Sequence, residues 1–488
     1  MPFLTSLLLT AAMAATASPA APQKGSAAAA RAPNILFILA DDVGQEVLEC
    51  YGGSSYRTPH INSLARDGMK FHHAYSMPVC HPTRIALMTG RYPVRLNQPA
   101  WGSFPAAAES STFSGILKRS GYATAIAGKW QLALLQRDPQ HPQRLGFDQS
   151  SLFAWHEGPR YYDPLIWQNG KLRKNLAAHY GPDIYADFLI DFMKQKHEVP
   201  FLAYFSMALC HDVTDDLSEP VPFGPGKTRY DNYGEMVRQM DRVVGRLLTA
   251  LEAAHLRDNT VVIFTTDNGT PKRTIAGVRN GRLYRKSVVS LRGDQSIPGG
   301  KGNLRDDGTR VPLLVRWPGV TPAGREVNAL VDSSDFLPTL LELAGVQPPS
   351  DIKLDGHSFA PLLKNQPGRQ RSWCYAGLRN RHWVRTQRFK LYQSGKFYDV
   401  SKDVKEQHPL RKETADGVTK AALQLLRGAL AGLPLKRGTN SQDTAGPSAA
   451  TPRNQLHGWQ WASRRMPVRR GAAWKRTHCR RNVPVATR

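Results

Sequence analysis

The stretch VCHPTRIALMTGRYP, residues 79–93, sets a cysteine two residues before a proline and four before an arginine. Pro82 suits the first turn of a helix, and a helix running on through TRIALMT to Gly90 puts Cys80 at its N-terminus, where free amides and the macrodipole favour anions. Arg84, one turn further along, reaches back toward the same spot. Cys80 is then either a small buried apolar residue, the usual state of an unpaired thiol, or a nucleophile facing an anion. The choice rests on what converges on it.

Four apolar runs of strand length end in polar residues able to do chemistry. NILFILADD ends in Asp41 and Asp42, YATAIAGK in Lys129, FLAYFSMALCH in His211, and TVVIFTTDN in Asp267 and Asn268. Taken singly each ending is weak: Asp and Asn after a strand usually make a turn, a lysine there points into solvent, and a lone histidine is more often structural. Together Asp41, Asp42, Asp267 and Asn268 offer hard oxygen ligands from two strand ends, which suits calcium or magnesium better than zinc. Lys129, His211, Arg84 and Lys301 add cationic donors, the surroundings needed by a phosphate or sulfate ester whose transition state spreads charge over several oxygens. The glycines of IPGGKGNLRDDGTRVP let backbone approach a ligand closely around Lys301.

The elements that must position these residues follow from the pattern. Continuous aliphatic runs indicate strands buried on both faces, hence an α/β fold with a mostly parallel central sheet flanked by helices, and in such sheets the ligand crevice lies beyond the carboxyl ends of the strands. Helical periodicity appears in STFSGILKRSG, PDIYADFLIDFMKQKHE, YGEMVRQMDRVVGRLLTALEAAH and SDFLPTLLELAG. Beyond about residue 370, short aromatic-rich strands with Gly and Asn turns indicate a smaller α+β subdomain with a short antiparallel sheet, closed by a helix from about Gly417 to Gly432. The expected organisation is a signal peptide over 1–25, a catalytic α/β domain over 32–370, the antiparallel-sheet subdomain over 371–434 and a basic, disordered tail over 435–488.

Composition sets outer limits. The chain has 488 residues, 41% of them hydrophobic and 21% charged, which is ordinary for a globular protein. MPFLTSLLLTAAMAATASPAAPQKG reads as a secretory signal, although no Lys or Arg stands in its n-region, so export to a periplasmic, extracellular or lumenal space is expected. No later run reaches membrane-spanning length, so no transmembrane anchor is expected. Five scattered cysteines without a CxxC pair make neither a disulfide scaffold nor a zinc site, though one or two bridges stay open. Of the net charge of +26, much lies in Lys436–Arg488, where twelve Lys or Arg face the single acid Asp443. Such a tail is able to hold an anionic polymer by counterion release, but no nucleic-acid partner is expected.

CHPTRIALMTGRYP resembles the sulfatase signature, CxPxR followed by TGR, and the match continues in family order through PNILFILADD, GYATAIAGKW, TTDNGT and GGKGNLRDDGTRVP. The resemblance spans roughly residues 33–410 and implies the alkaline-phosphatase-like fold of that family. It implies that a formylglycine-generating maturation enzyme converts Cys80 to an aldehyde, hydrated to a diol, with Pro82 and Arg84 part of the recognition sequence. One diol oxygen would attack sulfur and expel the alcohol, and the other would collapse to the aldehyde and eject sulfate. By match, Asp41, Asp42, Asp267, Asn268 and the modified Cys80 hold one Ca2+, Arg84 stabilises the diol, and Lys129, His211 and Lys301 bind the sulfate group and assist the leaving oxygen. One departure stands out: the family's GKWH is here GKWQ, so Gln131 hydrogen-bonds where a histidine would also carry a proton. The expected function is hydrolysis of a sulfate ester, on a sulfated small molecule or a sulfated polysaccharide, with the segment 153–170 shaping the pocket mouth. Two alternatives stay open: a phosphodiester or phosphonate monoester hydrolase of the same superfamily, and a degenerate, non-catalytic binder of sulfated glycans.

Overall fold

The computed structural model describes residues 32–154, 157–196, 198–212, 233–279, 282–411 and 416–435. The expected signal peptide and basic tail lie outside the described residues. In chain order the strands are β1 (Asn34–Ala40), β2 (Met69–Tyr75), β3 (Ala123–Trp130), β4 (Gln149–Ala154), β5 (Trp167–Gln168), β6 (Lys171–Leu172), β7 (Phe201–Ser206), β8 (Thr260–Thr266), β9 (Arg273–Arg279), β10 (Arg282–Ser287), β11 (Val289–Arg292), β12 (Gln295–Pro298), β13 (Arg310–Arg316), β14 (Arg325–Asp332), β15 (Cys374–Leu378), β16 (Arg381–Arg385), β17 (Phe389–Tyr392) and β18 (Phe397–Asp399). The helices are α1 (Pro59–Arg66), α2 (Cys80–Thr89), α3 (Phe113–Arg119), α4 (His141–Arg144), α5 (Gly181–Gln195), α6 (Tyr233–Ala253), α7 (Asp306–Thr309), α8 (Phe336–Leu343), α9 (Ala360–Leu363) and α10 (Gly417–Ala431).

Ten strands form one mixed sheet in the order β14-β2-β13-β8-β1-β7-β3-β4-β5-β6. The run β8-β1-β7-β3-β4 is wholly parallel. The antiparallel β13, wedged between β2 and β8, was not expected from sequence. Strand periodicity explains why β1 reads as an unbroken apolar run: Leu36, Ile38 and Ala40 point into a core shared with α5 and α6. Ile35, Phe37 and Leu39 point the other way, into a core with α2, α3 and α8. Both faces are therefore dry.

The helices begin and end where their sequences say. Thr112 caps α3 by accepting from the Gly115 amide, Pro182 stands in the first turn of α5, and Gly90, at φ 65°, closes α2 in the left-handed region that favours glycine. Gly128 is needed for another reason: a Cβ there would lie 2.1 Å from the Ser206 carbonyl oxygen. Only glycine lets β3 and β7 approach this closely just before Lys129. Cys50, Cys80, Cys210 and Cys374 are free thiols, so none of the bridges left open by the sequence forms among the described residues. No described helix is long and apolar enough to cross a membrane.

A four-stranded antiparallel sheet, β15-β16-β17-β18, lies near the end of the described chain as expected. With α10 it encloses a third core that also takes in Tyr75, Ala86 and Tyr92, so it packs against β2 and α2. Buried charge pins it there. Arg371 donates to Asp335 Oδ2 at 2.9 Å and to the Tyr92 hydroxyl at 2.9 Å. The fully buried Lys390 donates to the Leu304 carbonyl at 2.6 Å and to Glu406 at 2.7 Å, while Arg385 pairs with Asp306 at 2.5 Å. Leu304 and Asp306 belong to the loop that carries Lys301, so the antiparallel sheet anchors that loop.

Removing one member of a buried ion pair strands the other charge. Lys390→Met is therefore expected to lower the unfolding free energy by about 3–5 kcal/mol, and Lys390→Met combined with Glu406→Gln to recover most of that loss, both measured by urea denaturation.

Candidate active site

The polar strand endings meet. β8, β1, β7 and β3 are consecutive parallel neighbours, so Asp267 and Asn268, Asp41 and Asp42, Ser206, and Lys129 all emerge on one edge of the sheet. His211 differs from expectation, because β7 ends at Ser206 and His211 lies five residues beyond. The intervening chain stays tied to the end of β1: the Met207 amide donates to Leu39, and the Asp41 amide donates to the Leu209 carbonyl at 2.8 Å. That bonding carries His211 back over the same edge.

Cys80 is the first residue of α2, completely buried. Its Sγ and a carboxylate oxygen from each of Asp41 and Asp267 all lie within 4.8 Å of one another. One turn along, Arg84 donates to Asp267 Oδ2 through Nη2 at 2.7 Å and Nε at 3.1 Å, and to Ser206 Oγ through Nη1. The Thr83 hydroxyl donates to the Asp267 carbonyl at 2.7 Å. Helix α2 is thereby fastened to the end of β8 by both its first-turn hydroxyl and its guanidinium.

Lys129 Nζ donates to Asp41 Oδ2 at 2.5 Å, and Lys301 Nζ pairs with Asp42 Oδ1 at 2.6 Å. The same Asp42 oxygen accepts from Asn268 Nδ2 at 2.7 Å, and His211 Nε2 lies 3.8 Å from the other. His211 Nδ1 donates to the Asp212 carbonyl, which leaves Nε2 as the nitrogen turned to the site. Lys301 reaches in because the two glycines before it permit close packing: a Cβ on Gly299 would lie 2.1 Å from the Pro271 carbonyl oxygen, and one on Gly300 would strike Asp307. Exposure separates floor from mouth. The side chains of Asp41, Asp42, Asp267, Arg84 and Lys129 are buried, whereas those of His211 and Lys301 keep 14% and 20% of their surface.

Burial dominates the electrostatics of the pocket. Burial raises Asp41, but Lys129, His211, Arg84 and Lys301 together bring it below the ordinary carboxylate range. Burial, opposed by Lys301 and helped by Asp41 and Asp267, pushes Asp42 up to about 7, and burial with Asp41 also raises Asp267. Burial pushes the Cys80 thiol up as well, and Lys129 and Lys301 do not reverse the shift, so as a thiol it is a weak nucleophile at neutral pH. His211 is driven well below its usual value, first by burial and then by Lys301. A cation fits what the acids lack. Asp41 Oδ1 and Asn268 Oδ1 are buried without a hydrogen-bond partner among the described residues, and an all-oxygen set of carboxylates and a carboxamide is the chemistry of a hard divalent ion. Asp41, Asp42, Asp267 and Asn268 could therefore hold one.

Gln131 follows β3 two residues after Lys129, and both atoms of its amide are buried without a partner among the described residues. Strand alternation puts it on the face of Lys129 rather than that of Trp130. Three supporting residues escaped the sequence reading. Ser206 accepts from Arg84 and donates to the Lys129 carbonyl at 2.7 Å. Tyr161, in the segment expected to shape the mouth, donates to the His211 carbonyl at 2.8 Å, and Tyr233 donates to the Asp42 carbonyl at 2.7 Å. Ser206 carried a signal, a polar residue closing an apolar run; the two tyrosines carried none.

Three buried carboxylates with their cationic partners stand on the carboxyl edge of a mostly parallel sheet around a helix-borne cysteine. The sulfatase family profile matches residues 33–346, and that of N-sulphoglucosamine sulphohydrolase, C-terminal, matches residues 300–426. The chain belongs to the sulfatase family, enzymes that hydrolyse sulfate esters. It is 32% identical to steryl-sulfatase of Mus musculus over 469 residues, covering 77% of this chain and 73% of that protein. It is 31% identical to N-acetylgalactosamine-6-sulfatase of Homo sapiens over 382 residues, covering 70% of this chain and 67% of that protein. Among solved structures, Ps i-CgsB in complex with k-i-k-neocarrahexaose superposes with a TM-score of 0.66 at 26% identity, over 83% of this chain and 94% of that one.

Arg84→Ala would leave Asp267 buried without its guanidinium. Urea unfolding is expected to show a loss of about 3–5 kcal/mol, and Lys301→Ala, whose ammonium keeps some water, to show a smaller one.

Proposed function

We propose that the protein hydrolyses an organic sulfate ester through a formylglycine made from Cys80 by a maturation enzyme, with one calcium ion held by Asp41, Asp42, Asp267, Asn268 and residue 80. The observation that carries this reading is the position of Cys80 Sγ among the Asp41 and Asp267 carboxylates. A buried cysteine kept only for packing has no reason to face two acids and a ring of cations. The hydrated aldehyde supplies what the thiol lacks, an oxygen nucleophile with a second hydroxyl through which the sulfated residue is released. The ion would supply a partner for the unpaired oxygens of Asp41 and Asn268, and calcium suits an oxygen-only ligand set better than zinc.

The remaining roles follow from exposure and bonding. Arg84, locked on Asp267 and Ser206, orients residue 80 and stabilises its oxygen. Lys129 holds Asp41 and lines the floor. Lys301 and His211, the half-buried members at the mouth, face the sulfate group, and Lys301, which its acidic neighbours keep protonated, delivers a proton to the leaving alcohol. Gln131 positions a polar group by hydrogen bonding and carries no proton. The apolar N-terminal segment of the sequence supports export.

The test is hydrolysis of an aryl sulfate against the matching aryl phosphate. The wild type is expected to prefer the sulfate, Cys80→Ala to fall to background, and His211→Ala or Lys301→Ala to lose about 10²–10³ in kcat. Peptide mass across residue 80 is expected to show CH2SH replaced by CHO; an unconverted thiol in active protein sinks the mechanism.

Metal removal gives a second readout. Chelation is expected to lower Tm and abolish turnover, and Ca2+ at 100-fold over Kd to restore about 2.7 kcal/mol of stability.

A further inference from the structure

The pocket accounts for one sulfate group, and nothing in it speaks to the rest of the substrate. The chain leaves the pocket at Asn268 and enters the antiparallel hairpin β9–β10, paired from Arg273↔Ser287 to Arg279↔Arg282. Between Gly269 and Gly293 the sequence has seven Lys or Arg and no Asp or Glu. At the base of the hairpin, Lys272, Arg273, Arg285 and Lys286 are all exposed. This base is fixed to the site from two sides. Asp212, the neighbour of His211, accepts from the Ile275 amide at 3.0 Å and from Arg285 Nε at 3.4 Å, and Ile275 is fully buried in the main core. Thr270 accepts from the Lys301 amide at 2.9 Å, and the Val288 amide donates to the Lys272 carbonyl. Lys272 is four positions after Asn268, so their Cα atoms lie no more than about 14 Å apart.

We infer that the base of this hairpin is a polyanion-binding arm that holds the unreacted part of a multiply sulfated glycan chain while one of its sulfate groups occupies the pocket. The inference rests on the sulfate-ester reading of that pocket. Exposed cations ordinarily alternate with acids on a protein surface, and a run this long without one creates a field that attracts a negative polymer. Among the described residues Arg285 is the one cation of the four with a carboxylate in reach, and its bond to Asp212 ties the arm to the residue beside His211. Lys272, Arg273 and Lys286 are left to face solvent. A small sulfate ester fills the pocket without touching them, whereas a chain bearing further sulfate groups leaves the mouth across them. The arm therefore favours polymer over small-molecule substrates without adding any residue to the reaction.

The probe is dextran sulfate, with uncharged dextran as control, bound to the full chain at several salt concentrations. Lys272→Gln/Arg273→Gln/Lys286→Gln removes three exposed charges; Arg464→Gln/Arg465→Gln/Arg469→Gln removes three from the C-terminal segment and corrects for net charge. The arm variant is expected to bind dextran sulfate at least tenfold more weakly than wild type. The slope of log Kd against log salt should fall by about 2–3, one released counterion per lost contact. The C-terminal variant is expected to lose much less, and kcat/KM toward an aryl sulfate to change less than twofold in the arm variant. The inference is overturned if the arm variant keeps its affinity within twofold, or if the C-terminal variant loses as much. A single-stranded DNA bound tenfold more tightly than dextran sulfate, through the same three residues, would also overturn it by assigning the arm to nucleic acid. Failure of the wild type to hydrolyse any sulfate ester would count against the pocket chemistry instead, and leaves the binding comparison readable.

Discussion

A carboxylate taken fully out of water must be matched by charge or hydrogen bonds, and Asp41 and Asp267, each completely buried, stand close enough to raise one another's cost. Lys129 on the first and Arg84 on the second make the pair tolerable. Asp42 follows in sequence and has Lys301, yet burial and its two acidic neighbours still push it up to about 7. The site is thus a set of paired charges held under a desolvation cost. Two of its buried oxygens, Asp41 Oδ1 and Asn268 Oδ1, have no hydrogen-bond donor among the described residues, and a divalent ion could supply their missing partner. Everything nearby serves that pairing: Ser206 absorbs a spare donor of Arg84, Thr83 fastens α2 to β8, and Gly128 brings β3 against β7 so that Lys129 reaches Asp41.

The wider architecture holds these charges in place by making their carriers neighbours. Four adjacent parallel strands deliver the floor residues to one edge, which helical crossovers on both faces keep dry. The two members that keep water, His211 and Lys301, come from longer loops rather than strand ends. Each is held by something outside the sheet. Tyr161 holds the His211 backbone, and Lys390 and Arg385 of the antiparallel sheet hold the loop of Lys301. The small C-terminal sheet is thereby part of the active-site scaffold, although it supplies none of the pocket's charged groups.

Much of this was readable along the chain. Asp41, Asp42, Lys129, Asp267 and Asn268 announced themselves as polar stops to apolar runs, and Cys80 with Pro82 and Arg84 as the opening of a helix. The structure brings them together as that reading required. His211 was placed on a strand end and sits instead past one, because backbone bonds between residues 207–211 and the end of β1 redirect the chain. The supports Tyr161 and Tyr233 left no trace in sequence, since a tyrosine that orients a backbone carbonyl looks the same as one that fills a core. The antiparallel β13 was missed for a related reason: a strand buried on both faces reads alike in either direction.

What the linear chain determined by itself is local: which runs are strands, where helices start and stop, and which chemical groups stand at their ends. These depend on periodicity and on Gly, Pro and capping residues, whose effects extend over a turn or two. Only the tertiary structure decided which ends are neighbours, which carboxylates face each other, and which oxygens are left without donors. Those outcomes depend on strand order and on contacts between residues far apart in the chain, such as Lys129 with Asp41, 88 positions apart, and Asn268 with Asp42, 226 positions apart. Charge interactions in a dry site act through space, and proximity in space is what a folded sheet creates and an extended chain does not contain.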